Sequence, residues 1–344
     1  MRLLQFIDPD TGLQHLGLVR QDEVIDLSQG PGAPRSLHQV YYALGGNRRG
    51  LVPVVEELAA GTRHALRLSL AELLGNRGAG ARLLAKPVSG PEGDPHALRI
   101  WLAGVTHADS ARLREIEAKQ ATGGAVNVYE QKYRECAGGG RPELFPKNEP
   151  DDVVAHGQPV TRPADTLRLV PETELVTVYG LDAQGQVERL GYTGGNDVTD
   201  NGIEAANPLN LPQAKNWAGG CASLGPVLVT ADEFDDRVVE VSCEVLRQGR
   251  RVAYKEGETG QERLNMPDRL FHMERMLFSR IPLRPGQLQV LYWGTPIVFA
   301  ESDLAGGLQV GDVMRLGFWG GIGVLENPIA ALPEPGQVSR LAGA

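Results

Sequence analysis

Between residues 152 and 330 the apolar residues come in short runs: TLRLV, ELVTVYG, VERLGY, GPVLVT, VVEVSCEVL, RVAYKE, LQVLYWG and VMRLGF. Each run is stopped by Gly, Pro, Asp or Asn before it reaches helical length. Short apolar runs bounded by turn residues read as strands, so this part of the chain has to build sheet. One segment escapes the pattern. MPDRLFHMERMLFSR (266–280) places Pro267 in its first turn and spaces Leu270, Met273 and Leu277 as a helix does. The 43 glycines are dispersed and not repetitive, which suits many turns and close backbone approaches.

The first 95 residues have a different texture. RLLQFID, LGLVR and VIDLS read as short strands separated by DPDTG and RQDE. Residues 36–75 then carry helical spacing. Ser36 can cap SLHQVYYALGG, VPVVEELAAG is a further helical run, and Ser69 with Glu72 three residues later forms a capping box. VSGPEGDPH (88–96) reads as a linker. The expected class is therefore α+β, a β-rich C-terminal roll with a smaller α/β N-terminal domain. The expected boundaries are 1–95, 98–332 and a loose tail at 333–344. Within the second part RIWLAGV (99–105) reads as a buried strand, and 109–135 as charged helix broken at Gly123-Gly124.

Several function classes lose their basis. The 344 residues carry a net charge of −9, with no basic cluster to attract nucleic acid. No apolar run approaches the roughly 18 residues of a membrane span, and Asp8 interrupts any secretory segment. Three cysteines without CxxC spacing argue against a disulfide scaffold or a zinc ribbon. Neither GxxxxGK[ST] nor a helix-opening GxGxxG occurs. The expectation is a cytoplasmic protein acting on a small molecule, without nucleic acid or membrane as partner.

The acids that break the strand pattern are more informative. In VPETELVTVY, Glu172 and Glu174 lie two apart and so share one face of a strand. Two carboxylates 4 Å apart repel by about 4 kcal/mol at an effective dielectric near 20. A divalent cation between them reverses the sign, and oxygen-only ligands suit Mg²⁺, Mn²⁺ or Ca²⁺ over Zn²⁺. The alternative is a solvated strand face. Asp197, in GYTGGNDVTD, stands where a strand is expected to end in a Gly-Gly turn and can aim into a cleft or form an Asx-turn. Lys215 is the only cation between 207 and 230. Buried there, it would have a depressed pKa and serve as a base; at the surface it would simply snorkel. Glu143 and Lys147 sit in GRPELFPKNEP, read as a loop too rich in Gly and Pro for helix.

Taken in order, RPELFPK, PETELVTV, GYTGGNDVTD, NPLNLPQAKNWAGGCASLGPV, GTPIV and GDVMRLGFWGGIGVLENP resemble the fumarylacetoacetate hydrolase superfamily over residues 98–330. The resemblance implies a β-rich catalytic roll that binds Mg²⁺ through Glu172, Glu174 and Asp197, in a homodimer or larger homo-oligomer. Hydrolytic members carry a motif like GxNYxxHxxE, whose His activates water. Here the matching run is GVTHADSARLRE, which puts Ser110 at that place and His107 three positions off. RPELFPK, with Glu143 placed 29 residues before Glu172, is instead similar to the 2-keto-3-deoxy-arabinonate (pentonate) dehydratase branch. That likeness implies acid–base work by Glu143 and Lys215, and substrate contacts from Thr295, Gln213 and Lys147, with 109–135 as a lid. The implied reaction is Mg-dependent loss of water from a 2-keto-3-deoxy sugar acid, a pentonate giving 2,5-dioxopentanoate. The alternative is hydrolysis of C–C bonds in acylpyruvates or diketo acids. Cys136, Cys221 and Cys243 receive no role, and Trp293 and Trp319 are expected in the core.

Overall fold

The computed structural model describes residues 1–61, 66–78, 80–91, 93–124, 128–147 and 149–333. The tail expected at 333–344 lies, but for Pro333, outside the described residues. Strands dominate where the short apolar runs fall, and they form two main sheets. The larger has 12 strands. Its path runs Arg67–Ser69, Glu23–Asp26, Gln14–Arg20, Arg2–Ile7, Ala222–Thr230, Val187–Asp197, Thr173–Leu181, Leu288–Tyr292, Leu98–Gly104 and Glu143–Pro146. The smaller has five strands, with Arg250–Thr259, Val239–Arg247, Val313–Phe318 and Gly323–Ala331 antiparallel and Val160–Arg162 added parallel.

The N-terminal strands do not form a sheet of their own. Arg2 and Leu3 pair with Val229 and Leu228, so the large sheet passes without interruption from the first residues into the C-terminal part. The N-terminal ammonium donates to Thr230 Oγ1 at 2.5 Å at the same seam. Helix Leu51–Gly61 buries Leu51, Val54 and Val55 on this side, and Ser69 accepts from the Glu72 amide as the capping box requires.

The hairpin Thr173–Leu181/Val187–Asp197 lies at the centre of the large sheet, and nearly every residue of its first strand is buried. A strand covered on both faces needs apolar side chains on both, which ELVTVYG supplies. Trp293 is wholly buried and donates through Nε1 to Thr177 Oγ1 at 2.8 Å; Trp319, by contrast, is half exposed. The three cysteines are free and buried.

Two local expectations change. Gly194-Gly195 is not a turn, because the strand runs straight through it to Asp197. A Cβ on Gly194 would stand 2.4 Å from the Phe318 ring, and one on Gly195 2.3 Å from the Tyr292 ring. The glycines are there to let two rings lie on the backbone. Glu143–Pro146 is likewise not a loop but an edge strand, pairing antiparallel with Trp101–Gly104. An edge tolerates Pro146, whose missing N–H removes no bond from the interior of a ladder.

Candidate active site

Five neighbouring strands of the large sheet begin or end on one side, and the candidate residues gather at those strand ends. Thr173–Leu181, with Glu172 just before it, and Glu143–Pro146 begin there. Val187–Asp197, Leu98–Gly104 and Leu288–Tyr292 end there. The register fixes the acids: Glu174 lies opposite Gly195, the Asp197 amide donates to the Glu172 carbonyl at 3.1 Å, and the Glu172 amide donates to Asn196 Oδ1 at 3.0 Å. One carboxylate oxygen each from Glu172, Glu174 and Asp197 lies within 4.8 Å of the others, and all three side chains are buried.

The protein's cations are distributed unevenly over these acids. Lys215, on the one-turn helix Leu211–Lys215, donates to Glu172 Oε2 at 2.9 Å, Asp197 Oδ2 at 2.8 Å and Thr199 Oγ1 at 2.6 Å. Arg114 on helix Ala108–Thr122 reaches Glu172 Oε1 at 2.5 Å, and Lys147 pairs with Asp197 Oδ1. Burial would raise the Glu172 carboxyl, but Lys215 and Arg114 outweigh it and hold the group below its ordinary range. Glu174 has no such partner among the described residues. Its Oε2 accepts only the Gly294 amide at 2.8 Å, and burial, then Asp197 and Glu172, push its carboxyl well above the ordinary range. Oxygen-only donors, all buried, one of them in no ion pair among the described residues, fit a hard divalent ion.

Lys215 departs from the expectation of a neutral amine. Burial does favour the neutral form, yet the charges of Asp197 and Glu172 overcome it and hold the ammonium well above its usual range. The depressed pKa expected of a lysine in apolar sequence does not arise, because the residues that matter are distant in sequence and acidic.

These groups face a small cavity lined also by Gly104, Ser110, Arg114, Tyr129, Glu143, Glu204, Gly294 and Thr295. Glu143 reaches it over Gly104, where a Cβ would stand 1.9 Å from the Glu143 carboxylate. Burial first, then the charge of Glu204, raises the Glu143 carboxyl to about 7. Thr295 lines the cavity while its hydroxyl donates to the Ile297 carbonyl at 2.8 Å. Lys147 is buried behind Asp197, 5.8 Å from the centre of the Trp217 ring, and does not line the cavity. Gln213 is exposed and lies outside the lining as well, since the short helix turns Ala214 and Lys215 inward.

Ser110 faces the cavity and His107 does not. His107 is locked between Thr106 Oγ1 at 2.9 Å and Thr259 Oγ1 at 3.1 Å, and burial lowers its pKa to about 4. Arg114, Tyr129 and Glu204 were not foreseen as site residues. The lid expected over 109–135 takes in Arg114 and Tyr129 without singling out either, and the polar residues of 201–206 are equally those of a solvated helix.

A family model described as "Fumarylacetoacetate (FAA) hydrolase C-terminal" matches residues 117–330. The chain is 32% identical over 247 residues to the 2-dehydro-3-deoxy-D-arabinonate dehydratase of Saccharolobus solfataricus, covering 72% of this chain and 74% of that one. It is 33% identical over 237 residues to the probable 2-keto-3-deoxyxylonate dehydratase of Haloferax volcanii, covering 69% and 73%. Among solved structures, 2-keto-3-deoxy-D-arabinonate dehydratase complexed with magnesium and 2,5-dioxopentanoate superposes with a TM-score of 0.68 at 24% identity, covering 97% of this chain and all of that one.

Proposed function

The chain belongs to the fumarylacetoacetate hydrolase family, and from that premise we propose that it is a metal-dependent hydro-lyase that dehydrates a 2-keto-3-deoxy sugar acid, a pentonate giving 2,5-dioxopentanoate. The observation that carries the reading is the cavity itself, where three buried carboxylates meet Lys215 and a protonatable Glu143 and none of the described lining residues is a histidine. Glu172, Glu174 and Asp197 would hold Mg²⁺, and oxygen donors of this kind also accept Mn²⁺ or Ca²⁺. Bound there, the cation supplies a Lewis acid for the carbonyl of a 2-keto acid.

The remaining work falls to side chains. Dehydration requires that the C3 proton leave and that the C4 hydroxyl depart as water. Glu143, protonated up to about pH 7, donates its proton to the C4 oxygen. Lys215 takes the proton from C3, and for this it has to enter as the free amine. The contacts that hold it as ammonium come from Glu172 and Asp197, the same acids that would serve a cation. The product of elimination has a C3=C4 double bond. Moving that bond to C4=C5, with one proton leaving C5 and one returning to C3, gives an enol whose ketonisation places the aldehyde at C5. Atoms balance with water as the only other product. Thr295 lines the cavity, and its hydroxyl would contact the substrate carboxylate once it leaves Ile297.

Hydrolysis of acylpyruvates lacks its base, because Ser110 stands in the cavity where a water-activating histidine is needed. Among the described residues no helix is long and apolar enough to cross a membrane. We read the chain further as a cytoplasmic homodimer or larger homo-oligomer; large apolar side chains left exposed, such as Phe271 and Val310, support self-association.

The test is to mix the chain with Mg²⁺ and each 2-keto-3-deoxy-pentonate enantiomer and follow the products by proton NMR. An aldehyde resonance that disappears on chelation, and that Lys215→Ala abolishes, is the expected result. No reaction with either enantiomer, together with cleavage of an acylpyruvate, would move the chain to the hydrolases.

A further inference from the structure

Once the metal ligands, Lys215 and Glu143 are assigned, one wall of the cavity has no role. It is built from three helices. Arg114 comes from Ala108–Thr122, Tyr129 from Tyr129–Ala137 and Glu204 from Asn201–Ala206. Arg114 is committed, with its Nη atoms bonded to Glu172, Glu117 and Asn201. Tyr129 is committed as well, its hydroxyl donating to Glu204 Oε1 at 3.3 Å. Glu204 Oε2 is not. The side chain is only 6% exposed, yet this oxygen accepts no hydrogen bond among the described residues, and the nearest cation, Arg114 Nε, is 3.9 Å away. Of the described residues lining the cavity, it holds the one buried side-chain oxygen or nitrogen without a hydrogen bond, its charge met only by the Arg114 guanidinium at 3.9 Å.

A buried carboxylate oxygen on a residue that lines a cavity, with no hydrogen-bond donor of its own, gains one in the working complex, since a buried acceptor left unsatisfied is unfavourable. The order of groups along the cavity says which donor. Resting on the dehydratase reading, C1 and C2 of the substrate belong to the three metal-ligating carboxylates, C3 to Lys215 and C4 to Glu143. A 2-keto-3-deoxy-pentonate carries hydroxyls at C4 and C5 alone, and the first of these belongs to Glu143. The next carbon is C5.

We propose that Glu204 is a specificity-determining residue, whose free Oε2 accepts the hydroxyl proton of the carbon beyond the leaving group. Tyr129 and Arg114 hold its carboxylate in place. A distal phosphate or carboxylate is turned away by the charge of Glu204, which confines the substrates to neutral polyhydroxy 2-keto acids. A deoxy analogue is disfavoured because it leaves Oε2 buried without a partner.

The test compares kcat/KM for consumption of 2-keto-3-deoxy-pentonate with that of 4-hydroxy-2-oxopentanoate, which has the same leaving group and a methyl at C5. The expected preference for the hydroxylated substrate is about 100-fold, the size of one hydrogen bond to a charged acceptor. In Glu204→Ala the ratio collapses to below about tenfold, and in Glu204→Gln, which keeps the shape and an acceptor oxygen, it falls part of the way. Equal losses on both substrates, leaving the ratio unmoved in both variants, overturn the assignment and make Glu204 structural. If the unaltered chain consumes neither substrate, the dehydratase reading fails first and the inference with it.

Discussion

Glu143→Gln removes a titrating proton from the cavity while keeping the shape of the side chain. In the folded chain burial, reinforced by Glu204, raises the carboxyl from its ordinary 4.5 to about 7. An acid raised in this way binds its proton more tightly folded than unfolded. Its contribution to stability is therefore complete below the unfolded value and is lost as the pH rises through the folded one. With these two values the contribution lost between about pH 5 and about pH 8 is about 2.5 kcal/mol. Glutamine does not titrate. The unfolding free energy of the unaltered chain minus that of Glu143→Gln should therefore fall by about 2.5 kcal/mol over that range. Urea unfolding of both proteins at each pH, in buffer containing a chelator, measures it. Subtraction at equal pH cancels the other titrating groups. A difference that stays constant with pH would refute the reasoning, since it would mean that Glu143 ionises in the folded chain as it does in water.

Three further outcomes follow from the same geometry. Gly104→Ala would place a Cβ 1.9 Å from the Glu143 carboxylate, so turnover should fall about 100-fold with little change in melting temperature; retained kcat would show that Glu143 can act from elsewhere. His107→Asn should lose far less than the 10²–10⁴-fold expected of a removed general base, and a loss of that size in kcat would bring His107 into the chemistry. Mg²⁺ at 100 times its Kd should stabilise the chain by about 2.7 kcal/mol, and Glu174→Gln should abolish that gain; an equal rise in melting temperature in the variant would place the ion elsewhere.

The short interrupted apolar runs were enough to identify a sheet protein, because alternation and turn residues act within a few positions of one another. The pairing of Glu172 with Glu174 was legible for the same reason, as neighbours two apart on one strand face. Motif order then brought Asp197, Lys215 and Glu143 into the same site. What the sequence by itself could not determine depends on residues remote from one another in the chain. Gly194-Gly195 reads locally as a turn, and only the rings of Phe318 and Tyr292 explain why it is strand. Lys215 reads locally as a buried base, whereas acids 18 and 43 residues away hold it charged. The wall of Arg114, Tyr129 and Glu204 exists only because three helices close over one edge of the sheet. Local sequence thus determined which elements form and which acids share a strand. Burial and long-range charge, which exist only after folding, decided the protonation of each group.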